Sequence, residues 1–177
     1  MNQDLRNDPR YQNHESRPDL AGDHPKGDFY QFIAMVVFLL AIIADYSWFK
    51  LGPQINDHVN FWVRFILGGL VAGFGGWLAL YGIHLVFSEY TEEPRMITHH
   101  LFSKVRHPVY LGAMIIYVGI LIFTLSPFGL LVFLGVFLLY DWLARDEENR
   151  MKDLFGDHYE EYKEKTGRWI PHLWNER

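Results

Sequence analysis

The run Arg106-His107-Pro108-Val109-Tyr110-Leu111-Gly112 joins a permanent cation, an imidazole and a phenol within one short segment. A guanidinium holds an anionic group through parallel hydrogen bonds, and an imidazole changes its charge near neutral pH. Pro108 favours the first turn of a helix, so Arg106 and His107 directly precede a helix start. The segment is the first of two polar clusters whose residue types could do chemistry together.

A second polar cluster lies further along the chain and adds carboxylates, phenols and more arginines. Single members of the two clusters also have simpler interpretations. Glu148 and Lys152 have the spacing of an ordinary helical ion pair, and Arg106 with His107 would suit an anchor in a membrane interface. Their combination favours a site. The second cluster comprises Arg145-Asp146-Glu147-Glu148, Met151, Leu154-Phe155-Gly156, Tyr159, Tyr162 and Gly167-Arg168-Trp169-Ile170-Pro171.

Four apolar runs surround these clusters, at residues 29–49, 61–87, 108–125 and 128–144. A helix needs roughly 20 residues to cross the hydrocarbon core, so the last two runs would need local thinning or snorkelling ends. Four such runs exceed what 177 residues could bury in a soluble bundle. We therefore predict an all-α, polytopic membrane bundle with about four transmembrane helices and a C-terminal helical tail.

Ser126-Pro127 separates the last two apolar runs and predicts a tight helical hairpin, because proline is tolerated only in the first turn of a helix. This hairpin would bring both polar clusters to one membrane face. In the second run, Gly69 and Gly73 are one helical turn apart, which predicts the face where another helix packs closely.

Positive charges orient the predicted bundle. All but two of the 16 lysine and arginine residues lie in the N-terminal tail, the 88–107 segment or the C-terminal tail, and the exceptions are Lys50 and Arg64. Because positive charges favour the cytoplasmic side, we predict an integral, multi-pass membrane protein with both termini in the cytoplasm.

Residues 1–28 are polar, of mixed charge and rich in proline, so we predict that they form a flexible tail. We predict a single membrane domain over residues 29–177.

The chain has no cysteine, which excludes disulfides, thiolate metal sites and a cysteine nucleophile. The net charge of −5 gives no reason to expect a nucleic-acid partner. His99-His100 has no accompanying ligand cluster, so no metal site is predicted.

The two clusters together resemble the isoprenylcysteine carboxyl methyltransferase family and its phospholipid methyltransferase relatives. The family pattern is Arg-His-Pro-x-Tyr-x-Gly, a helical hairpin, then Glu-Glu-x-x-hydrophobic-x-x-x-Phe-Gly-x-x-Tyr-x-x-Tyr and a closing Arg-x-Ile-Pro. The resemblance covers residues 104–173, while residues 1–100 carry no matching motif. The matching residues are Arg106, His107, Pro108, Tyr110, Gly112, Glu147, Glu148, Met151 (where leucine is usual), Phe155, Gly156, Tyr159, Tyr162, Arg168, Ile170 and Pro171.

This resemblance implies S-adenosylmethionine as the methyl donor, bound by the C-terminal half at about 104–173. The chemistry of the matching residues fits such a donor. Arg106 would hold its carboxylate, with His107 bonding to the same end. Glu147 or Glu148 would accept hydrogen bonds from the ribose hydroxyls or the ammonium, and their charge suits the cationic sulfonium.

The remaining matching residues would complete that site. Tyr110, Tyr159 and Tyr162 would wall the adenine or donate hydroxyl bonds, and Gly112 would let the helix backbone approach the ligand. The segment 157–174 would form a lid over the cofactor or merely anchor the tail. If the acceptor must lose a proton, His107, Glu148 or Arg168 would assist. The predicted catalytic residues are thus Arg106, His107, Glu148 and Arg168.

The methyl acceptor stays open at this level: a carboxylate, an amine, a hydroxyl or a thiol all fit an in-line methyl transfer. A lipid-like or small apolar acceptor would enter sideways from the bilayer, and the donor from the cytoplasm. Two other functions remain as alternatives, an NADPH-dependent reductase of the sterol type and a non-catalytic membrane protein with the same fold. The sequence does not determine the oligomeric state.

Overall fold

The computed structural model describes residues 23–24, 26–88 and 95–172, and this part of the chain is almost entirely helical. Its one pairing between extended segments is a parallel bridge that joins Val105 to Gly167. The all-α prediction is confirmed. The elements are α1 (Gly27–Ala44), which continues as a π-helical turn (Asp45–Phe49), α2 (Leu51–Asn56), α3 (Phe61–Ser88), a 3₁₀ turn (His100–Ser103), α4 (Pro108–Thr124), α5 (Pro127–Phe155) and α6 (Asp157–Lys165).

Three of the described helices are long and apolar enough to cross a membrane: α1 with its π-helical turn, α3 and α5. Large apolar side chains on them, such as Leu70, Leu80 and Leu138, stay exposed, which suits a lipid environment rather than water. The chain is thus an integral membrane protein with several spans. With 17 residues, α4 is apolar but shorter than the roughly 20 residues that a crossing requires, so its crossing stays a prediction.

The core lies where α1, α4 and α5 meet. Phe38 of α1 is fully buried and meets the ring of Tyr117 edge-on, with 4.7 Å between the ring centroids. Tyr140 and Leu143 of α5 are also buried in this cluster. Since α1 packs mainly on α5 and α3 on α4, the bundle consists of two helix pairs, and α4 is the helix of the second pair that enters this core.

Glycines let α3 and α4 approach backbone to backbone. A Cβ atom added to Gly112 would lie 2.6 Å from the carbonyl oxygen of Gly75, and one added to Gly119 would lie 2.7 Å from that of Gly68. Real Cβ atoms do not come this close to an oxygen, so no larger residue fits without separating the helices.

The prediction that Gly69 and Gly73 form the packing face of this helix is wrong. A Cβ atom added to either residue would meet nothing within 4 Å, whereas Gly68 and Gly75 lie against α4. Residues seven apart return to nearly the same side of a helix, and adjacent residues lie about 100° apart. The packing stripe is therefore displaced by one residue from the predicted one.

The predicted hairpin between α4 and α5 is confirmed. Ser126 precedes Pro127, and its hydroxyl accepts a hydrogen bond from the amide of Gly129 at 3.0 Å, which caps α5. The same hydroxyl donates to the carboxylate of Asp45, which is fully buried. Asp45 thereby ties the π-helical end of α1 to the hairpin turn.

Candidate active site

A cavity of about 400 Å³ opens at the end of the bundle where α3 ends and α4 begins. Its size falls in the roughly 300–1,000 Å³ range that is usual for ligand sites. One part of its wall is polar and another is apolar or aromatic. The wall consists of Asp23, His24, Gly27, Asp28, Gln31, Ile83, Val86, Phe87, Arg95, Met96, Ile97, Phe102, Arg106, His107, Pro108, Val109, Tyr110, Glu147, Met151, Tyr159 and Tyr162.

Arg106 joins the start of α4 to the C-terminal segment. Its amide donates to the carbonyl of Gly167 at 2.9 Å, beside the Val105–Gly167 bridge. Its guanidinium donates from Nη1 to the carbonyl oxygens of Lys163, at 3.2 Å, and Thr166, both at the end of α6. Arg106 lines the cavity, but these bonds direct much of its guanidinium toward the protein itself.

Glu148 and Arg168 form the charged centre behind the cavity wall. Arg168 donates from Nε to Oε1 of Glu148 at 2.9 Å and from Nη2 to Oε2 at 2.8 Å, a two-point contact. Arg106 adds a third bond, from Nε to Oε1 at 3.0 Å. Since the Glu148 side chain is only 5% exposed, three charge-assisted bonds offset the cost of burying its charge.

This arrangement bears on the predicted roles of Glu148 and Arg168. Neither Glu148 nor Arg168 is among the described residues that line the cavity, because each is held by the other. Glu148 and Arg168 hold the start of α4, α5 and the C-terminal segment together, and their predicted contacts with donor or acceptor stay predictions. The simple pairing of Glu148 with Lys152 is wrong, since Lys152 lies 2.8 Å from Glu160 of α6.

Glu147, the neighbour of Glu148, faces the cavity. Its Oε1 accepts a hydrogen bond from the hydroxyl of Tyr110, and its Oε2 lies 3.4 Å from Nδ1 of His107. The rings of His107 and Tyr110 are stacked at 5.7 Å, only 7° from parallel. The predicted residues His107, Tyr110 and Glu147 therefore form one contiguous group in the cavity wall.

His107 lies between the two glutamates. Its Nε2 is 3.4 Å from Oε1 of Glu148, yet the angles do not make a hydrogen bond, and this buried atom has no hydrogen-bond partner among the described residues. Burial opposes protonation of the imidazole, but the nearby carboxylates of Glu147 and Glu148 favour the charged form, outweigh burial and raise the pKa of His107 above 6.5.

Tyr159 and Tyr162 of α6 line the cavity, and their predicted contacts with the adenine stay a prediction. Tyr162 donates its hydroxyl to the carbonyl of Phe102 at 2.7 Å, and burial raises its pKa to about 12. Tyr159 is 3% exposed, and burial raises its pKa as well. Both phenols therefore stay neutral at physiological pH and offer flat aromatic surfaces.

Gly112 packs against α3, and its predicted contact with the cofactor stays a prediction. Gly112 is not among the described residues that line the cavity, and its backbone lies directly against Gly75 and Ala79 of α3. No side chain separates the two helices at this point, so no ligand fits between them.

The C-terminal segment that follows α6 is held against α5 by side-chain contacts of Arg168 and Trp169. Arg168 donates from Nη1 to Asp141 of α5 at 2.9 Å, and the indole nitrogen of Trp169 lies 3.4 Å from the same oxygen. The ring of Trp169 lies 5.7 Å from that of His107. The lid and anchor roles predicted for 157–174 both stay predictions; residues 173–177 lie outside the described chain.

Sequence reasoning missed the cavity residues outside the two clusters. They come from the start of α1 and the residues just before it, the end of α3, and the segment 95–102 that leads into the 3₁₀ turn. The first helix, α1, begins at Gly27, two residues before the predicted start of the membrane domain at residue 29; the predicted flexibility of residues 1–22 falls outside the described chain. The predicted order of the helices could have indicated them, because it brings the start of α1, the end of α3 and the start of α4 to the same face of the membrane. The missed residues are Asp23, His24, Gly27, Asp28, Gln31, Ile83, Val86, Phe87, Arg95, Met96, Ile97 and Phe102.

His24 packs this N-terminal approach against α5. Its ring lies 5.4 Å from that of Trp142 and 5.6 Å from that of Tyr30, and its Nε2 is 3.9 Å from a carboxylate oxygen of Asp146. The chain before α1 thereby forms one edge of the cavity.

Comparisons with known proteins place this geometry in a family. The sequence profile of the family described as phospholipid methyltransferase matches residues 63–158, more than half of the chain. Methanethiol S-methyltransferase 1 of Bradyrhizobium diazoefficiens is 38% identical over 89 residues, which cover 50% of this chain and 30% of that protein. Protein-S-isoprenylcysteine O-methyltransferase of Saccharomyces cerevisiae is 30% identical over 93 residues, which cover 51% of this chain and 38% of that protein.

The fold has a counterpart among solved structures. The eukaryotic intramembrane Ras methyltransferase ICMT (isoprenylcysteine carboxyl methyltransferase) superimposes with a TM-score of 0.58 at 22% identity, over 94% of this chain and 58% of that chain. This likeness shows a shared fold. The matches to the two sequence relatives span less than half of either one. Because the profile match extends from α3 through α5 into α6 and includes the Arg106–Glu148 region, the chain belongs to the phospholipid methyltransferase family.

Proposed function

We propose that the chain is a membrane-embedded methyltransferase that uses S-adenosylmethionine and methylates a small or lipid-like acceptor at the cytoplasmic membrane face. One observation carries this proposal: a single cavity joins the polar group His107–Tyr110–Glu147 to an apolar wall from α3. A donor with a charged end and an acceptor with an apolar body need such a two-sided site.

The cavity residues fit this donor. Its sulfonium and ammonium groups are cationic, and the carboxylates of Asp28 and Glu147 line the cavity. Its adenine is flat, and Tyr159 and Tyr162 present aromatic surfaces there. The buried Nε2 of His107 supplies a polar atom that protein atoms leave unsatisfied. When bound, S-adenosylmethionine supplies an electrophilic methyl group on sulfur.

The main contribution of the protein to such a reaction is to position the donor and the acceptor. Methyl transfer is an in-line displacement, so its rate depends on how well the nucleophile and the methyl carbon are aligned. The Arg106–Glu148–Arg168 network fixes the start of α4 and the C-terminal segment against α5. Those elements carry His107, Tyr110 and Glu147, so the network holds the cavity wall in one geometry.

The apolar wall supports an acceptor that arrives from the bilayer. Ile83, Val86 and Phe87, near the end of α3, face the cavity, while α1 lines its other side. Because α3 packs mainly on α4 and α1 mainly on α5, an apolar molecule would enter laterally between α1 and α3. The named activities of the two relatives, on methanethiol and on an isoprenylcysteine, both involve acceptors with an apolar part.

The charge distribution supports the cytoplasmic location. Arg95, Lys104, Arg106 and Arg150 lie at the cavity end of the bundle, whereas Lys50 and Arg64 lie at the opposite end. Positive charges favour the cytoplasmic side of a membrane protein. The site would then open where S-adenosylmethionine is available.

Donor binding by the detergent-purified protein tests the proposal. Calorimetric titration with S-adenosylmethionine and S-adenosylhomocysteine should give saturable binding, and NADPH should give none. Met151→Trp, which fills the cavity, should abolish binding, whereas Leu154→Trp, at an exposed position of the same helix, should not. Binding of NADPH alone would contradict the proposal and favour a reductase. A Met151→Trp variant that binds as well as the unaltered protein would exclude this cavity.

A further inference from the structure

We propose that the bilayer that this protein fits has a thin hydrocarbon layer, because α1 and α5 present to lipid an apolar surface only about 22 Å long. The hydrocarbon core of a typical bilayer is about 30 Å thick. Lipids with short acyl chains match the shorter length, and a thicker bilayer has to thin where it meets these two helices. This inference concerns the membrane and does not depend on the proposed function.

At the end of the bundle opposite the cavity, polar groups of both helices lie at one level. Asp45, which directly follows α1, accepts a hydrogen bond from the hydroxyl of Ser126, the residue that caps α5. Tyr46 donates to the carbonyl of Thr124 at 2.7 Å, and the exposed Lys50 ends the π-helical turn. The apolar surface of α1 and α5 therefore ends at Asp45 and Ser126.

At the cavity end, the apolar surface of α5 stops at a charged pair. The exposed side chains Leu130, Leu134 and Leu138 are followed by Asp141 and Arg145. Arg145 is 66% exposed, and its Nη2 lies 2.7 Å from a carboxylate oxygen of Asp141, so its guanidinium is directed back toward the middle of the bundle. An arginine surrounded by hydrocarbon instead extends its charged group outward to water. The headgroup region therefore reaches the level of Asp141.

Aromatic rings mark the same level on α1. Trp142, the neighbour of Asp141, is half-exposed and meets the ring of Tyr30 edge-on, with 5.9 Å between the centroids. His24, just before α1, lies 5.4 Å from Trp142. Tryptophan and tyrosine concentrate where hydrocarbon gives way to lipid headgroups. Tyr30 and Asp141 thus mark the boundary on these two antiparallel helices.

The distance between the two boundaries follows from the helical rise. Fifteen residue steps separate Tyr30 from Asp45 on α1, and fifteen separate Ser126 from Asp141 on α5. At about 1.5 Å per step, each helix spans about 22 Å. Any tilt makes the distance across the membrane smaller still, so this length is an upper limit. Both helices therefore fall about 8 Å short of a typical hydrocarbon core.

Of the other long helices, α4 is also short and α3 is not. With 17 residues, α4 is about 25 Å long. On α3, twenty residue steps separate Arg64 from His84, which corresponds to about 30 Å. Since α3 packs mainly on α4 and α1 on α5, the thinnest apolar surface lies on the side of the bundle formed by α1 and α5.

The test measures thermal unfolding in nanodiscs of dimyristoleoyl-, dipalmitoleoyl-, dioleoyl-, dieicosenoyl- or dierucoyl-phosphatidylcholine, which share one headgroup and increase in chain length in this order. A thick bilayer either covers the Asp141–Arg145 pair with hydrocarbon or must be deformed, and both are unfavourable. The unfolding midpoint should be highest in one of the two shortest lipids and fall by roughly 5 °C or more toward the dierucoyl lipid. A midpoint that is highest in any of the three longer lipids, or equal in all five, would overturn the inference.

Two arginine variants test whether the boundary on α5 causes this dependence. Arg145 and Arg150 each lie 2.7 Å from the aspartate four residues earlier, Asp141 or Asp146, so either substitution removes one cation and one ion pair. Arg145→Leu extends the apolar surface of α5 by about one turn, roughly 5 Å, whereas Arg150→Leu changes a position beyond Asp146 and extends nothing. The highest midpoint should therefore shift to a longer lipid in Arg145→Leu only. The same lipid dependence in both variants would contradict the boundary at Asp141.

Discussion

Arg168 donates hydrogen bonds to both carboxylate oxygens of Glu148, from Nε at 2.9 Å and from Nη2 at 2.8 Å, although the two residues are twenty positions apart in the chain. This contact fastens the C-terminal segment to α5 directly behind the cavity wall. A guanidinium forms such a two-point contact and an ammonium does not. The position of His107, which lies against Glu148 on one side and Trp169 on another, therefore depends on a residue outside the cavity.

Removal of the Arg168 side chain should destabilise the protein strongly. Arg168→Ala leaves Glu148, 5% exposed, with Arg106 as its remaining arginine partner, and should lower the free energy of unfolding by about 3 kcal/mol. Denaturant titration in detergent measures this change. Arg145 also pairs with Asp141, but its side chain is 66% exposed, so Arg145→Ala should cost less than about 1 kcal/mol. Equal losses in the two variants would contradict the assigned importance of the Arg168 contact.

Two glycine substitutions should separate the packed face of α3 from its free face. Gly75→Ala places a Cβ atom 2.6 Å from the carbonyl oxygen of Gly112 and should destabilise the protein by roughly 1–3 kcal/mol through overpacking. Gly73→Ala meets nothing within 4 Å and should be neutral or slightly stabilising, because alanine favours helix over glycine. Thermal unfolding in one detergent compares the pair, and a more harmful Gly73→Ala would contradict the described rotation of α3.

Local signals in the sequence were sufficient for the helices and for the hairpin. Ser126 and Pro127 act through their own cap and ring geometry, so neighbouring residues alone indicate the start of α5. The order of the apolar runs also brings the ends that carry Arg106 and Glu148 to one face. These features depend on residues that are close in the chain or on simple alternation of direction.

Local sequence patterns did not show which side of each helix faces the cavity or a neighbouring helix. Glu147 and Glu148 are adjacent, and about 100° of helical turn decides which faces the cavity. That choice depends on Arg168, which is remote in the sequence, just as the packing of Gly75 rather than Gly73 depends on α4. Adjacent residues of the same type give no indication of which one a distant segment contacts.

The stability of the protein should decrease as pH rises through the pKa of His107. The two glutamates raise this pKa above 6.5 in the folded state, so the charged imidazole stabilises the fold fully below about pH 6.5. That contribution disappears as the imidazole loses its proton above the raised value. Unfolding midpoints measured across this range should fall in the unaltered protein and stay flatter in His107→Gln. A steeper fall in the variant would show that another group is responsible.

Substitution of Asp45 should separate stability from function, because it lies at the end of the bundle opposite the cavity. Its Oδ1 accepts bonds from the amides of Leu51 and Gly52 at 3.0 and 3.1 Å, and its Oδ2 accepts from Ser126, with no exposure to solvent. Asp45→Ala leaves these donors unsatisfied and should cost about 2–4 kcal/mol of unfolding free energy. Since the cavity wall contains none of these residues, the affinity for S-adenosylmethionine in the folded fraction should remain within about threefold, a difference of less than about 1 kcal/mol. A large loss of affinity at unchanged stability would mean that the two ends of the bundle are coupled.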